Sequence, residues 1–461
     1  MFLQQFYVES LGHYSYLIGS TDAGVAFVVD PKRDIGDYVQ TAQDLGLRIT
    51  HILETHLHND YVSGSRELAA ACGAVIGHSA AAQLRYDHQP LRDDDRLHCG
   101  ELEVRVLETP GHTPEHLCYL VYDTKRSPTV PALIFSGGDL LVGSVGRPDL
   151  LGPELGAKLA PQLYDSLHHK ILPVGDAVVV LPTHGAGSSC GAAISSTRTS
   201  TIGYEKATNP YLQHDSPAAF VRAILGNQPT IPAYYPRMRP INQSGPPLGA
   251  PPAPPSLDPT AFAARMAHTQ TTVVDTRDAA AFGAGHIPGA INVGLDNRFT
   301  TWAGSTLPAD HALLLVVAAP GDVATALTQL HRIGLAQVAG VLADGMTAWT
   351  AAGHPVATVP QISVTDLKAL LDTGALVQVV DVRNADEWQT GHIAGAVHYL
   401  ANRLADRAAD LPDDRPLAVI CGGGYRSSLA GSLLRRQGYT QVHNVTGGME
   451  AWQAQGYPTT S

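Results

Sequence analysis

Residues 49–61 read ITHILETHLHNDY, and the fold of everything around them turns on this stretch. Ile49 to Glu54 is a short apolar run of strand type, and directly behind it Thr55-His56-Leu57-His58-Asn59-Asp60-Tyr61 crowds two imidazoles and a carboxylate together. A strand end can project several such groups in one direction. The arrangement recurs downstream: His112 follows EVRVLETPG, Asp139 follows ALIFSGG, and His184 closes AVVVLPTH. A lone buried histidine is usually a hydrogen-bonded core residue, and one HxH in a chain with 21 histidines can arise by chance. Four ordered motifs, each ending a strand-like run, are what a metal site needs, because imidazoles and carboxylates must converge from separate strands.

The wider sequence bounds what such a site can serve. The chain has 461 residues, enough for two or three cores. Its 42 acidic and 30 basic residues give a net charge of -12, which provides no field for a phosphate backbone, so nucleic acid is not expected as a partner. The start, MFLQQFYVESLGHYSYLIG, has no basic leader before an apolar run, and no stretch of about 18 apolar residues occurs. A membrane partner is not expected. Five scattered cysteines, Cys72, Cys99, Cys118, Cys190 and Cys421, argue against a disulfide framework and for a reducing, cytoplasmic setting. A homo-oligomer is expected.

The clearest break is the proline-rich stretch QSGPPLGAPPAPPS, residues 243–256, which reads as an extended linker. Behind it the chain repeats itself. VVDTRDAAAFGAGHIPGAINV from Val273 matches VVDVRNADEWQTGHIAGAVHY from Val379, and GMTAWTAAGHPV from Gly345 matches GMEAWQAQGYPT from Gly448. Two copies of one small domain follow, each alternating strand-like and helix-like runs as βαβ units of a parallel sheet do. The expected architecture is a multidomain α/β protein: a first domain over 1–242, the linker over 243–256, and repeats over 257–358 and 359–461.

In the second repeat the strand-like PLAVI runs into Cys421-Gly422-Gly423-Gly424-Tyr425-Arg426-Ser427 and then a helix-like stretch. Strand, tight loop and helix form an anion cradle: glycine backbone lets successive N–H groups point inward, and the helix N-terminus adds positive potential. A thiolate at Cys421 is favoured there, and Arg426 can hold an oxyanion. The first repeat places Ala318 under Cys421 and Val323 under Arg426, so its fold should survive without its chemistry. His286 and His392, both in GHI, belong to the scaffold.

The ordered series HxHxD, TPGHT, GD and H-G resembles the metallo-β-lactamase fold over Met1 to Asn242, which implies an αββα sandwich. Hydrolases of the glyoxalase II type in that superfamily carry HxHxDH and hold two metals, whereas Tyr61 stands here where the last histidine would be. The persulfide dioxygenase branch holds one iron, and its ligand set carried onto this sequence is His56, His112 and Asp139. The resemblance implies one Fe(II) per chain, with O2 as co-substrate. His58, Asp60 and His184 then become candidates to orient ligands, and GSVGRPD looks like the Gly-Arg element of that branch, with Arg147 a candidate for an anionic substrate. Cys190, in HGAGSSCG, is a candidate sulfur carrier.

CxxGxRS, with DVR, GHIAGA and GMEAW, resembles the rhodanese family of sulfurtransferases over Pro360 to Ser461. Rhodanese loops place four residues between Cys and Arg, as here, and related phosphatases five. The whole chain is therefore similar to fused persulfide dioxygenase–rhodanese proteins of sulfide detoxification. Persulfide or polysulfide and sulfite are the partners implied, and thiosulfate the product. The rival is a two-zinc thioester hydrolase with an accessory sulfur-carrier domain.

Overall fold

The computed structural model describes residues 1–214, 216–226 and 228–461, which form two compact units, Met1–Ala250 with His331–Gly334 and Pro251–Leu330 with Leu335–Ser461. The first unit is built on two six-stranded sheets. One runs Phe2–Val8, His13–Ser20, Val25–Val29, Arg48–Leu53, Val75–Ser79, Gln89–Leu91 from edge to edge. The other runs Ser200–Thr201, Val179–Pro182, Leu133–Gly137, Leu117–Asp123, Leu102–Glu108, Arg96–Cys99.

Strand periodicity dictates the layering, because successive side chains face opposite sides of a sheet. Leu117, Tyr119 and Val121 meet Ile18, Phe27 and Val29 in the core between the sheets. Their neighbours Cys118, Leu120 and Tyr122 turn outward under Ala160, Leu163, Phe220 and Ile224 of the helices Pro153–Ser166 and Pro217–Gly226. On the other outer face Ala26, Val28, Ile49 and Ile52 pack under Tyr38 and Leu68 of the helices Gly36–Asp44 and Ser65–Cys72. The result is the expected αββα sandwich. Val25–Val29 pairs in parallel with Arg48–Leu53, and Leu133–Gly137 with Val179–Pro182, so in each sheet the strand ends that carry the histidines and aspartates share one edge.

The proline-rich stretch departs from expectation. Gln243 and Ser244 close the helix Tyr235–Ser244. The chain beyond is tied to the first unit: Arg66 Nη1 donates to the Pro246 carbonyl (2.6 Å), and the Gly249 N–H donates to the Glu67 carboxylate (3.0 Å). Proline loses its donor but keeps its carbonyl, and that acceptor lets the first half of the segment pack. Ser256 opens the strand Ser256–Leu257, and Val359 packs in the core of the same domain.

The second unit holds two five-stranded parallel sheets with the same order. They run Ser256–Leu257, Val338–Leu342, Ala312–Val316, Thr271–Asp275, Ile291–Asn292, and Gln361–Ser363, Val442–Thr446, Leu417–Ile420, Gln378–Asp381, Val397–His398. The repeat extends to single bonds. Arg277 grips Asp275 and the Gly285 carbonyl as Arg383 grips Asp381 and the Gly391 carbonyl. Trp349 Nε1 donates to Pro355 and Trp452 Nε1 to Pro458. His286 and His392 bond through Nδ1 to the Phe282 and Trp388 carbonyls, as scaffold residues should. Among the described residues no helix is long and apolar enough to cross a membrane.

Asp381 is fully buried beside Arg383, itself 4% exposed. Removing one partner of such a pair strands a buried charge at a cost of about 3–5 kcal/mol. Arg383→Leu should therefore destabilise the last domain by that order, read as early hydrogen exchange of the strand Leu417–Ile420, and Arg277→Leu should do the same to Ala312–Val316.

Candidate functional site

The four histidine and aspartate motifs meet at one end of the sandwich. His56 and His58 lie just past the strand Arg48–Leu53, His112 just before Leu117–Asp123, Asp139 just after Leu133–Gly137, and His184 just after Val179–Pro182. Donor atoms of His56, His112 and His184 lie within 4.8 Å of one another, and all three residues are buried. Gly138 and Gly146 make room: a Cβ on Gly138 would overlap the His112 ring, and one on Gly146 would overlap the Gly138 carbonyl.

Each ligand candidate is aimed by its second nitrogen or oxygen. His112 Nδ1 donates to the Arg147 carbonyl (2.9 Å), which leaves the Nε2 lone pair free. His56 Nδ1 meets Thr55 Oγ1 (2.9 Å), whose hydroxyl donates to Asp30 Oδ2 (2.7 Å), so His56 Nε2 is likewise free. Asp139 Oδ1 accepts from the His112 backbone N–H (3.0 Å). His56 Nε2, His112 Nε2 and both nitrogens of His184 are buried without a hydrogen-bond partner; Asp139 Oδ2 lies 3.3 Å from His116 Nδ1, and Asp139 groups with His116 and Cys118, not with these three imidazoles.

A cluster of partnerless buried donors is what a divalent cation would satisfy. Burial holds His112 down at about 4 and His56 and His184 well below the usual imidazole value, which keeps their lone pairs available. Burial also pushes the Asp139 carboxyl well above the usual carboxylate range, and a cation at Oδ2 would hold it ionised. The donor set therefore fits a metal.

The surrounding residues divide into those expected and those not. His58 is held between Glu54 (2.8 Å) and Asp30 (3.3 Å) through Nε2; burial opposes its charge, but the two acids raise it to about 10. The Tyr61 hydroxyl donates to the Asp30 carbonyl (3.2 Å), and its ring lies against His58 (4.5 Å) and His13 (4.1 Å). The Arg147 guanidinium bonds to Asp149 (2.8 Å twice) and to the Ser189 and Pro229 carbonyls. What Arg147 gives the site is its backbone carbonyl. Asp60, His184 and Cys190 form a second group within 4.8 Å; burial raises the Cys190 thiol well above its usual value, and its sulfur lies 3.8 Å from the Tyr235 hydroxyl.

Sequence reading missed the clamp that holds this loop. Asn242 Nδ2 donates to the carbonyls of His58 (2.9 Å) and Tyr61 (2.8 Å), and its Oδ1 accepts from Ser63 N–H. Tyr234 donates to the Asp60 carbonyl, and Arg239 forks onto Glu115, which in turn accepts from Leu57 N–H. The only signal was YYPRMRPIN, polar and aromatic where a domain was taken to end.

The second candidate site is the cysteine loop. Cys421 is 1% exposed, and its sulfur accepts from Gly424 N–H (3.1 Å) and lies 3.4 Å from Ser427 Oγ. Gly424, at φ +107°, makes that inward turn, and the helix Tyr425–Arg436 starts behind it. Met449 N–H and Glu450 N–H hold the Cys421 and Gly422 carbonyls. Gly448 allows this, because a Cβ there would overlap both carbonyl oxygens. Gly423 and Tyr425 complete the loop, and the Tyr425 hydroxyl donates to the Gly294 carbonyl (2.9 Å). Arg426 is engaged by Glu387 (2.6 and 2.7 Å). In the first repeat the corresponding loop holds its own acid, Asp322, which accepts from Ala319 N–H (3.0 Å).

Residues 9–126 match the metallo-beta-lactamase superfamily, and residues 258–352 and 363–455 match the rhodanese-like domain. The chain is 33% identical to a metallo-beta-lactamase of Staphylococcus aureus in a crystal structure, over 74% of this chain and 98% of that one, with a TM-score of 0.67. It is 28% identical over 186 residues to the mitochondrial persulfide dioxygenase of Bos taurus, 40% of this chain and 67% of the relative. It is 36% identical over 138 residues to a hydroxyacylglutathione hydrolase of Rhodospirillum rubrum, 29% of this chain and 54% of the relative. The chain thus spans about two thirds of one curated relative and about half of the other.

Thr55 orients His56 without touching the ligand point and is one of several donors to Asp30, so Thr55→Val should cost about 1–3 kcal/mol of stability and weaken metal retention. Chelator competition should show retention weakened by about 10–100-fold, the usual effect of losing a ligand's outer partner.

Proposed function

We propose, for a chain that belongs to the metallo-β-lactamase superfamily and carries two rhodanese-like domains behind that fold, that it oxidises a persulfide to sulfite and transfers sulfane sulfur to give thiosulfate. The observation that supports this reading is the set of partnerless buried imidazole nitrogens on His56 and His112, with Asp139 buried behind them against His116 and with the Tyr61 hydroxyl taken up by the Asp30 carbonyl. These three residues would hold one Fe(II), with His184 beside them. Two imidazoles and a carboxylate on one face of an iron leave open positions for O2 and sulfur, and that is the chemistry the metal supplies when bound. Overall, one persulfide, one O2 and one water give one thiol, one sulfite and two protons.

The protein's own part is positioning. Asp30, through Thr55, and the Arg147 carbonyl fix the ring planes of His56 and His112. The layer of buried residues around the site, Tyr61, His13 and Tyr235 among them, keeps bulk water away. At the second site the Cys421 thiolate attacks the outer sulfur of a persulfide. A new S–S bond forms at Cys421, the old one breaks, and the carrier leaves as a thiolate with the bonding pair. Sulfite then takes the outer sulfur as thiosulfate, and Cys421 returns to thiolate. The first rhodanese-like domain has no nucleophile at Ala318 and takes no part in the transfer.

The second reading is a two-zinc thioester hydrolase, favoured by the Asp60, His184 and Cys190 group. Tyr61 weighs against it, because its hydroxyl is engaged by a backbone carbonyl and cannot replace the absent imidazole.

His56→Ala, His112→Ala and Asp139→Ala should each abolish O2 uptake on a small-molecule persulfide; retained uptake in any of them would mean the ligand set is wrong. Cys421→Ser should keep O2 uptake but accumulate sulfite in place of thiosulfate, measured by ion chromatography. Unchanged thiosulfate would place transfer elsewhere, with Cys190 the next candidate.

A further inference from the structure

The anion binder of the sulfur-transfer loop already holds an anion, and the anion is part of the chain. Arg426 donates from Nη1 and Nη2 to the two carboxylate oxygens of Glu387 at 2.6 and 2.7 Å. This is the two-point fork by which a guanidinium grips any planar or tetrahedral oxyanion. Glu387 is pinned there by its own backbone, since it sits in the helix Ala385–Gln389 and also accepts from the Asn384 N–H (3.0 Å) as that helix's cap. The contact falls at the nucleophile. A Cβ built on Gly422, the residue after Cys421, would lie 3.1 Å from Arg426 Nη2, 3.3 Å from Glu450 Oε1 and 3.8 Å from Glu387 Oε1. Arg426 is thus paired with Glu387, and the Glu450 carboxylate lies beside the same stretch of backbone.

We propose that Glu387 is an internal competitor for Arg426, so that the loop takes its sulfur from a thiol-borne persulfide and not from a sulfur oxyanion donor such as thiosulfate. The inference rests on the sulfurtransferase reading above and narrows its donor class. A thiol persulfide loads Cys421 by S–S exchange and needs no guanidinium. Thiosulfate must present its sulfonate oxygens to Arg426, and to do so it must displace Glu387 and approach Glu450, a like charge. The same competition helps the product leave: once thiosulfate has formed on the loop, Glu387 can reclaim Arg426. Glu387 acts through Arg426 and is therefore a positioning residue.

The test uses the full chain and two readouts. In the first, inert sulfate protects Cys421 from alkylation by iodoacetamide, followed by mass spectrometry of the Cys421 peptide, which needs no turnover. Glu387→Gln should protect at about tenfold lower sulfate than the parent, equivalent to about 1.4 kcal/mol, and Glu387→Asp, which keeps the charge, should stay near the parent. In the second, thiosulfate serves as donor and cyanide as acceptor. Cys421 displaces sulfite, cyanide takes the sulfane sulfur as thiocyanate, and the thiolate is restored. Glu387→Gln should lower the thiosulfate KM about tenfold, with the change falling on KM and not on kcat. Sulfate protection that is unchanged or weakened in Glu387→Gln would overturn the proposal. Absence of thiocyanate from every variant, with the protection shift present, would count against the sulfurtransferase reading and leave the competition standing.

Discussion

The first domain depends on one buried carboxylate. Asp30 stands at the end of the strand Val25–Val29, with φ at +50°, and it is fully buried. Its Oδ1 accepts from Thr55 N–H (2.7 Å), its Oδ2 from the Thr55 hydroxyl (2.7 Å) and the Thr183 hydroxyl, and His58 approaches at 3.3 Å. Burial alone would raise its pKa, but the His58 charge and these donors hold it below the usual carboxylate range. A buried charge is costly unless it is both paired and hydrogen-bonded, and Asp30 is both. The consequence is geometric, because the carboxylate ties three segments together: its own strand end, the loop bearing His56 and His58, and the residue before His184. Asp30 thus sets the direction of His56 and His58 and holds the residue before His184, while His112 is aimed by the Arg147 carbonyl.

That dependence also explains how far the sequence could be read. The ligands announce themselves because each ends a strand-like run, and the two repeats announce themselves because Asp-Arg, GHI and the tryptophan helix recur. The structure bears out the repeats in Asp275–Arg277 and Asp381–Arg383, and in the matched Trp349 and Trp452 bonds. Asp30 was visible as a strand-end acid, but its partners Thr55 and Thr183 are far apart in the chain, and no local spacing links them. Asn242 and Arg239 were illegible for the same reason. They act on backbone groups and on Glu115, and a bond to a backbone group leaves no trace in the identity of the residue that accepts it. The partners of Arg147 were equally illegible, because an arginine in a glycine-rich turn has the same letters whether or not its guanidinium pairs with Asp149.

The two rhodanese-like domains show one scaffold with opposite settings of the same loop. In the last domain the cradle encloses Cys421, and an acid from the neighbouring helix, Glu387, occupies the arginine at its mouth. In the preceding domain both cysteine and arginine are gone, and Asp322 folds back onto the loop's own amide. Parallel sheets, paired arginines and indole hydrogen bonds are retained in both, because they hold the core together and are indifferent to the loop. Fold and chemistry are separable here within a single chain.

The account turns on what the buried donors at His56, His112 and Asp139 bind and what reaction that supports. The most direct measurement is O2 consumption by anaerobically purified chain reconstituted with ferrous iron or with zinc, given a limiting amount of a small-molecule persulfide while bound metal is quantified. The account predicts about one iron per chain, one O2 consumed per persulfide, and no consumption by the zinc form. About two zinc per chain with thioester cleavage, and no O2 uptake by the iron form, would contradict it.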